Sequence, residues 1–224
     1  MKKSILDDGF QAYLTEGASF VGAPGIPMLM NLNNAQIPRD LLPFGKARSC
    51  ENKRQYIHFY QFDNCFSSVL TATAKYIDVM KQYDGVITPD CSILIGQSPC
   101  LQQTNTYMNR AVGFFLQKQG IPVIPNIRWG DKSTYDFCFL GVPRNGIVCI
   151  STHGCLRDKN LRKIFKAGIP VMLDELEPKT VLIHGYMPED VFGEYMHRAH
   201  FVRYASEYER THPENGGDTN GPRV

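Results

Sequence analysis

Ser151-Thr152-His153-Gly154 end an apolar run, Gly146-Ile147-Val148-Cys149-Ile150, and a basic, helix-patterned segment follows. Two hydroxyls, an imidazole and a glycine delivered by a buried strand to a helix mouth can hold a phosphate or carboxylate on backbone N–H groups. The plainer alternative is a turn whose hydroxyl caps the helix. Asp90, which follows Thr88-Pro89, is the first candidate for general acid or base work. Asp63 is a second carboxylate, although Asp63-Asn64 also read as helix caps. Arg128 and Arg110 are candidate charge clamps. Trp129 is the sole tryptophan and offers a face for stacking on a base or sugar. Asn105 and Asn109 lie one helical turn apart and form one polar patch. His184 and Gly185 complete the set. Cys155 is a poor nucleophile beside His153, because residues two apart on a helix do not face each other.

Metal chemistry has little support. His153, Cys155 and Cys149 lack the paired spacing of structural zinc sites, and His197 and His200 lack a third ligand. No metal site is expected, and no cofactor can be named.

The elements that would position these groups recur along the chain. Strands are expected near 57, 86, 122, 148, 181 and 201, many of them about 30 residues apart, the size of a βα unit. A first short strand is read at 27–31. Helices are expected from about 66 to 80, from about 102 to 119, from about 157 to 167 and over 188–195. Gly168 and Pro170 interrupt the third of these, with 171–176 continuing it after a kink. The rhythm predicts an α/β fold of repeated βα units with a mainly parallel sheet, either a small or incomplete TIM-barrel-like arrangement or a doubly wound open sheet. The steady spacing, and the absence of a glycine-rich dinucleotide fingerprint after the first strand, favour the barrel-like form. In either, the strand C-terminal ends gather at one edge, where Asp63, Asp90, Arg128, Ser151, Thr152, His153 and Gly185 would meet. One domain is expected over residues 1–204. Its lead-in, 1–54, is irregular and ends in a basic loop, and 205–224 is a polar, disordered tail.

Bulk properties exclude several classes. With 224 residues, 43% hydrophobic and 21% charged, the chain suits one soluble domain, and a formal charge of +2 is not that of a general polyanion binder. No run reaches the roughly 18 apolar residues of a membrane helix, and the N-terminal Met1-Lys2-Lys3-Ser4 leads into no secretory core. Seven cysteines, several in apolar runs and none in a CxxC pair, indicate reduced thiols and a cytoplasmic setting.

Several stretches together resemble a known family. They are Asp84-Gly85-Val86-Ile87-Thr88-Pro89-Asp90, Asn105-Thr106-Tyr107-Met108-Asn109-Arg110, Gly120-Ile121-Pro122-Val123-Ile124-Pro125 with Arg128-Trp129, Tyr135-Asp136-Phe137-Cys138-Phe139, Ile150 to Cys155, and Pro178 to Gly185. In order and spacing the chain is similar to the domain-of-unknown-function 4417 family of bacterial and phage proteins. Gly168-Ile169-Pro170 and the polar tail depart from that pattern. The resemblance implies a phage or mobile-element setting and carries over no catalytic residue.

The functional expectation is therefore a polar ligand site at the strand C-terminal edge. It belongs to an enzyme acting on a nucleotide, a nucleic-acid base or a phosphorylated small molecule, with Asp90 as acid or base and Ser151, Thr152 and Gly154 as cradle. The alternative is a non-catalytic nucleotide-binding or DNA-associated accessory protein. Such a protein would contact phosphates through Lys159, Arg162, Lys163 and Lys166, a single stripe that otherwise serves as a solvated helix face.

Overall fold

The computed structural model describes residues 11–31 and 36–212. After a 3-10 turn at Ala12–Thr15, the first strands described are an antiparallel pair, β1 (Phe20–Val21) and β2 (Ile26–Pro27). A four-stranded parallel sheet follows, ordered β3 (Leu41–Pro43), β4 (Tyr56–His58), β5 (Gly85–Ile87) and β6 (Val123–Ile124). A three-stranded parallel sheet then runs β7 (Ile147–Ser151), β8 (Thr180–His184) and β9 (His200–Tyr204). A parallel bridge between Asn126 and Cys149 joins the two. In it, Cys149 N donates to Pro125 O at 2.8 Å and Ile127 N to Cys149 O at 2.8 Å. At the outer edges the Tyr204 hydroxyl donates to Pro38 O at 2.6 Å, and Arg210 pairs with Asp40, just before β3. Strand order follows sequence order in both parallel sheets.

The helices are α1 (Ser67–Thr71), α2 (Ile77–Met80), α3 (Pro99–Lys118), α4 (Tyr135–Cys138), α5 (Lys159–Leu176), α6 (Glu189–Phe192) and α7 (Glu207–Thr211). Alternation along the strands sends side chains to two environments. Val148, Ile150, Val181 and Ile183 pack beneath Phe165, Ile169, Met172 and Leu173 of α5. Val86 and Val123 pack with Ala111, Val112 and Leu116 of α3. The intervening residues form a separate cluster to which each parallel strand contributes: Leu41, Tyr56, Ile87, Ile124, Cys149, Leu182 and Tyr204. Strands buried on both faces read as continuous apolar runs, as these do, and each buried aliphatic side chain contributes about 1.5–3 kcal/mol.

Several sequence expectations change. The basic lead-in contains β3, whose three residues are all buried between Asp40 and a 3-10 turn at Phe44–Lys46. Of the short strand expected at 27–31 only Pro27 lies in a strand, at the end of β2. The helix expected over 66–80 is broken at Ala72, with a 3-10 turn at Thr73–Tyr76 between α1 and α2. There the Thr73 hydroxyl donates to Val69 O at 2.6 Å, a side-chain bond that competes with the helical ladder. Within 135–139, Tyr135–Cys138 make the single turn α4.

Conversely, α5 runs unbroken through Gly168 and Pro170. Gly168 lies under Trp129, where an added Cβ would stand 2.2 Å from the indole Nε1. Packing of that face outweighs the hydrogen bond that Pro170 removes. The supposed tail contributes α7, held by a Ser206/Glu209 capping box; the rest of that tail, 213–224, and residues 1–10 of the lead-in lie outside the described residues.

Candidate functional site

Period-two alternation carries polar side chains past the ends of the strands. Tyr56, His58 and Tyr60 alternate along β4 and its extension, and Ile124, Asn126 and Arg128 do the same beyond β6. Cys149 and Ser151 on β7, and Leu182 and His184 on β8, repeat the pattern. Asn126 is fully buried and central to what results. Its amide Nδ2 donates to Asp90 Oδ1 at 2.8 Å, and its Oδ1 accepts from the Tyr60 hydroxyl at 3.0 Å. Its backbone N donates to Thr88 Oγ1 at 2.7 Å. Arg128 NH1 reaches Asp90 Oδ2 at 3.1 Å, so both carboxylate oxygens of Asp90 are engaged.

The imidazoles supply the second half. The rings of His58 and His184 lie 4.6 Å apart between centroids, and Tyr60 stacks on His184 at 4.4 Å. His58 Nδ1 accepts from Tyr60 N at 3.1 Å, and His184 Nδ1 lies 3.2 Å from Ser151 Oγ. His184 Nε2 is buried with no hydrogen-bond partner. An orphaned ring nitrogen is unusual, since buried polar atoms are nearly always paired.

Burial sets the charge of this cluster. It is the main cause that lowers His58 to about 3 and holds His184 well below the usual imidazole range, with nearby positive groups adding to it. Burial also raises the Tyr60 phenol and pushes the Cys149 thiol up to about 12. Arg128 is held above its ordinary value, first by the Asp90 carboxylate. At neutral pH the enclosed groups are thus one internal ion pair within a ring of uncharged donors and acceptors.

The residues singled out from sequence fall into three places. Asp90, Arg128, Ser151 and Thr152 belong to the cluster, and Thr152 Oγ1 donates to His184 O at 3.4 Å. His153, Gly154 and Gly185 form its lip. Gly185 has φ +105°, and a Cβ there would meet Thr152 Oγ1 at 2.7 Å, so only glycine fits without a shift.

Asn105, Asn109 and Arg110 stand behind the cluster on α3 and brace its loops. Asn105 donates to Ser92 O at 2.6 Å and Asn109 to Pro89 O at 2.6 Å. Arg110, 1% exposed, donates to the carbonyls of Leu140, Asn126 and Cys138 at 3.0, 3.0 and 2.9 Å, and also to Asn109 Oδ1. Desolvation lowers its pKa to about 10. Buried in this way, Arg110 is a scaffold and not a clamp.

Asp63 is separate: its carboxylate accepts from Ser92 Oγ at 2.9 Å in an exposed setting, and it caps no helix. Trp129 is a core residue, stacked on Phe165 with centroids 5.1 Å apart, which corrects its reading as an open stacking surface. Residues 151–154 do not form a helix mouth either. α5 begins at Lys159, and its first N–H groups are taken by the Asp158 carboxylate. Half of the basic stripe is committed as well, with Arg162 bound to Asp190 at 2.6 Å and Lys166 to Glu194 at 3.1 Å.

His58, Tyr60 and Asn126 are the members that motif reading passed over. Their signal was the alternation itself, in Tyr56-Ile57-His58-Phe59-Tyr60 and in Ile124-Pro125-Asn126-Ile127-Arg128. Among the described residues no group of three or more His, Cys, Asp and Glu side chains is placed to hold a metal ion. No helix described is long and apolar enough to cross a membrane.

Comparison with known proteins places the chain in a family. The model of a domain of unknown function, family 4417, matches residues 18–205, and the chain belongs to that family. It is 31% identical over 131 residues to the Gene 1 protein of Mycobacterium phage L5, covering 58% of this chain and 57% of that protein. It is 31% identical over 129 residues to the Gene 1 protein of Mycobacterium phage D29, covering 58% of this chain and 48% of that one. The match thus spans about half the length of these curated relatives. No solved structure matches the chain.

Proposed function

We propose that this phage-type protein binds a nucleobase-like ligand, as a free nucleotide or within a nucleic acid, in the strand-end cluster and acts on it chemically. The observation that carries the reading is His184 Nε2, a buried and unpartnered nitrogen in a neutral imidazole beside Tyr60, Ser151 and His58. A flat ligand edge with its own donor and acceptor completes such a set, because uncharged groups recognise an uncharged heterocycle better than a bare phosphate. The charged part of the ligand lies at the lip, near exposed His153 and Arg157.

The sheet supports the same reading if it curls into an incomplete TIM-barrel-like arrangement. Sequential strand order, the shared cluster with a residue from every parallel strand, the Tyr204–Pro38 tie between outer edges and the meeting of β4 with β8 through His58 and His184 all favour it. Ligands bind at the strand C-terminal ends of such folds. In this reading His184 accepts or returns a proton, its basicity set by burial. Asp90, with both oxygens taken, holds Arg128 and Asn126 in place. That engagement of the carboxylate is also what favours the second reading, a binding protein without turnover.

Calorimetric titration with adenosine, guanosine, cytidine, uridine and thymidine, and with their monophosphates, tests the site. His184→Phe keeps the ring and removes both nitrogens, and Tyr60→Phe removes one hydroxyl. Both should weaken a binding member of the panel by about tenfold or more, the loss of one or more buried hydrogen bonds. Unchanged affinity in both variants, or no binding by any member, overturns the reading. Chromatography of the bound ligand after prolonged incubation separates an enzyme from a binder.

A further inference from the structure

The rim beside this cluster carries aromatic and basic side chains in alternation. Tyr186, in the loop after β8, is 48% exposed, and Tyr208, on α7, is 45% exposed. Each has a guanidinium over its ring, Arg203 at 5.9 Å from the Tyr186 centroid and Arg157 at 5.5 Å from that of Tyr208. Tyr208 also stacks on His212, with ring centroids 4.5 Å apart and planes 17° from parallel, so that ring is already taken, whereas no described aromatic ring stacks on Tyr186. The two rings belong to one patch, since Arg203 donates to Gly185 O at 3.0 Å and also binds Glu209, next to Tyr208. Lys159 and Lys163 are exposed on one face of α5, one turn apart, close in sequence to Arg157.

Charge on this patch is one-sided once existing partners are accounted for. Glu207 is held by Lys46, Glu209 by Arg203 and the Ser206 cap, and Asp158 by the first N–H groups of α5. Arg157, Lys159 and Lys163 have no carboxylate within ion-pair reach among the described residues. An exposed tyrosine ring with uncommitted cations nearby offers an unpaired polynucleotide a stacking surface for a base and point charges for phosphates. A duplex hides its base faces and leaves Tyr186 without a role. A lipid surface would use the cations and bury the phenols only partly.

We infer that this rim is a landing surface for single-stranded nucleic acid, with a base stacked on Tyr186 and phosphates on Arg157, Lys159 and Lys163. The landing surface stands on the rim alone. Tyr186 follows Gly185 at the lip and is two residues from His184, so a strand lying here presents one base to the cluster; that last step rests on the function proposed above.

Fluorescence anisotropy of the full chain with a labelled single strand of roughly 12 nucleotides is the test, since comparable single-strand sites span up to about 16. Tyr186→Ala should weaken binding by about tenfold. Three phosphate contacts predict a loss of about twentyfold in affinity between roughly 50 and 200 mM salt, a dependence that Lys159→Gln with Lys163→Gln should reduce by about two thirds. Circular dichroism confirms the fold of each variant, and the two lysines lie on an exposed helix face, so their pair reports even where the tyrosine variant is unstable. Equal or tighter binding of the matching duplex overturns the inference, as does full affinity in Tyr186→Ala. So does binding to vesicles of phosphatidylserine and phosphatidylcholine with none to the oligonucleotide. His184→Phe leaves the rim intact, so oligonucleotide binding retained in that variant keeps this inference when the nucleoside test fails.

Discussion

Moving the protein from about pH 7.5 to about pH 5 perturbs the two buried imidazoles before it reaches the carboxylates. An unfolded chain protonates these histidines near 6.5, whereas folded His58 titrates at about 3 and His184 well below 6.5, burial being the main cause for both. Between those limits the unfolded state binds protons that the folded state refuses, so stability rises with pH and is lost progressively as pH falls below 6.5. His58 changes stability by about 1.4 kcal/mol per pH unit across that window, which amounts to about 2 kcal/mol by pH 5, and His184 adds a loss of the same sign. Asp40 and Asp190, whose pKa values are lowered from 3.8, lose their contributions only as pH falls through a more acidic range. Urea denaturation followed by the fluorescence of Trp129 at both pH values measures the difference, and His184→Phe should reduce it. A midpoint that does not move, or a pH dependence that His184→Phe leaves intact, refutes burial of two neutral imidazoles.

Two further substitutions probe the scaffold. Gly168→Ala drives a Cβ to 2.2 Å from the Trp129 indole, and such overpacking destabilises by about 1–3 kcal/mol. The sole tryptophan should report a shifted emission maximum and a lower urea midpoint, and an unchanged midpoint contradicts the close approach. Arg110→Lys cannot serve the carbonyls of Leu140, Asn126 and Cys138 at once. Leaving two of them unpaired should destabilise by about 3 kcal/mol in thermal denaturation, whereas a change below about 0.5 kcal/mol would mean that Arg110 does not brace the loops.

The strands were readable where both faces are buried. Val148 to Ile150 and Val181 to His184 carry continuous apolar runs, and β9 begins and ends where its pattern of residues does. β3 escaped notice because Leu41-Leu42-Pro43 sits among prolines and basic residues, and its burial comes entirely from neighbours distant in sequence. Pro170 argued for a break that the packing of Gly168 on Trp129 overrides. In the candidate site, Asp90, Arg128 and Ser151 were visible as polar residues after strands. His58 and Asn126 were not, because a single histidine or asparagine in an apolar run looks like any satisfied core residue. Only the meeting of β4 with β8, and of β6 with β5, gives them partners. Trp129 and Arg110 misled for the converse reason, as residue types that often touch ligands yet here fill the core behind the loops.

In the proposed function, His184 Nε2 bonds to a ligand atom. Nitrogen-15 spectra of the histidine rings, recorded with and without a saturating nucleoside, observe that nitrogen directly. A neutral His184 ring is expected, with an Nε2 resonance that shifts when the nucleoside is added, accompanied by the side-chain amide of Asn126, while exposed His197 and His212 stay in place. A His184 ring that is charged at neutral pH, or an Nε2 resonance that no nucleoside moves, would contradict it.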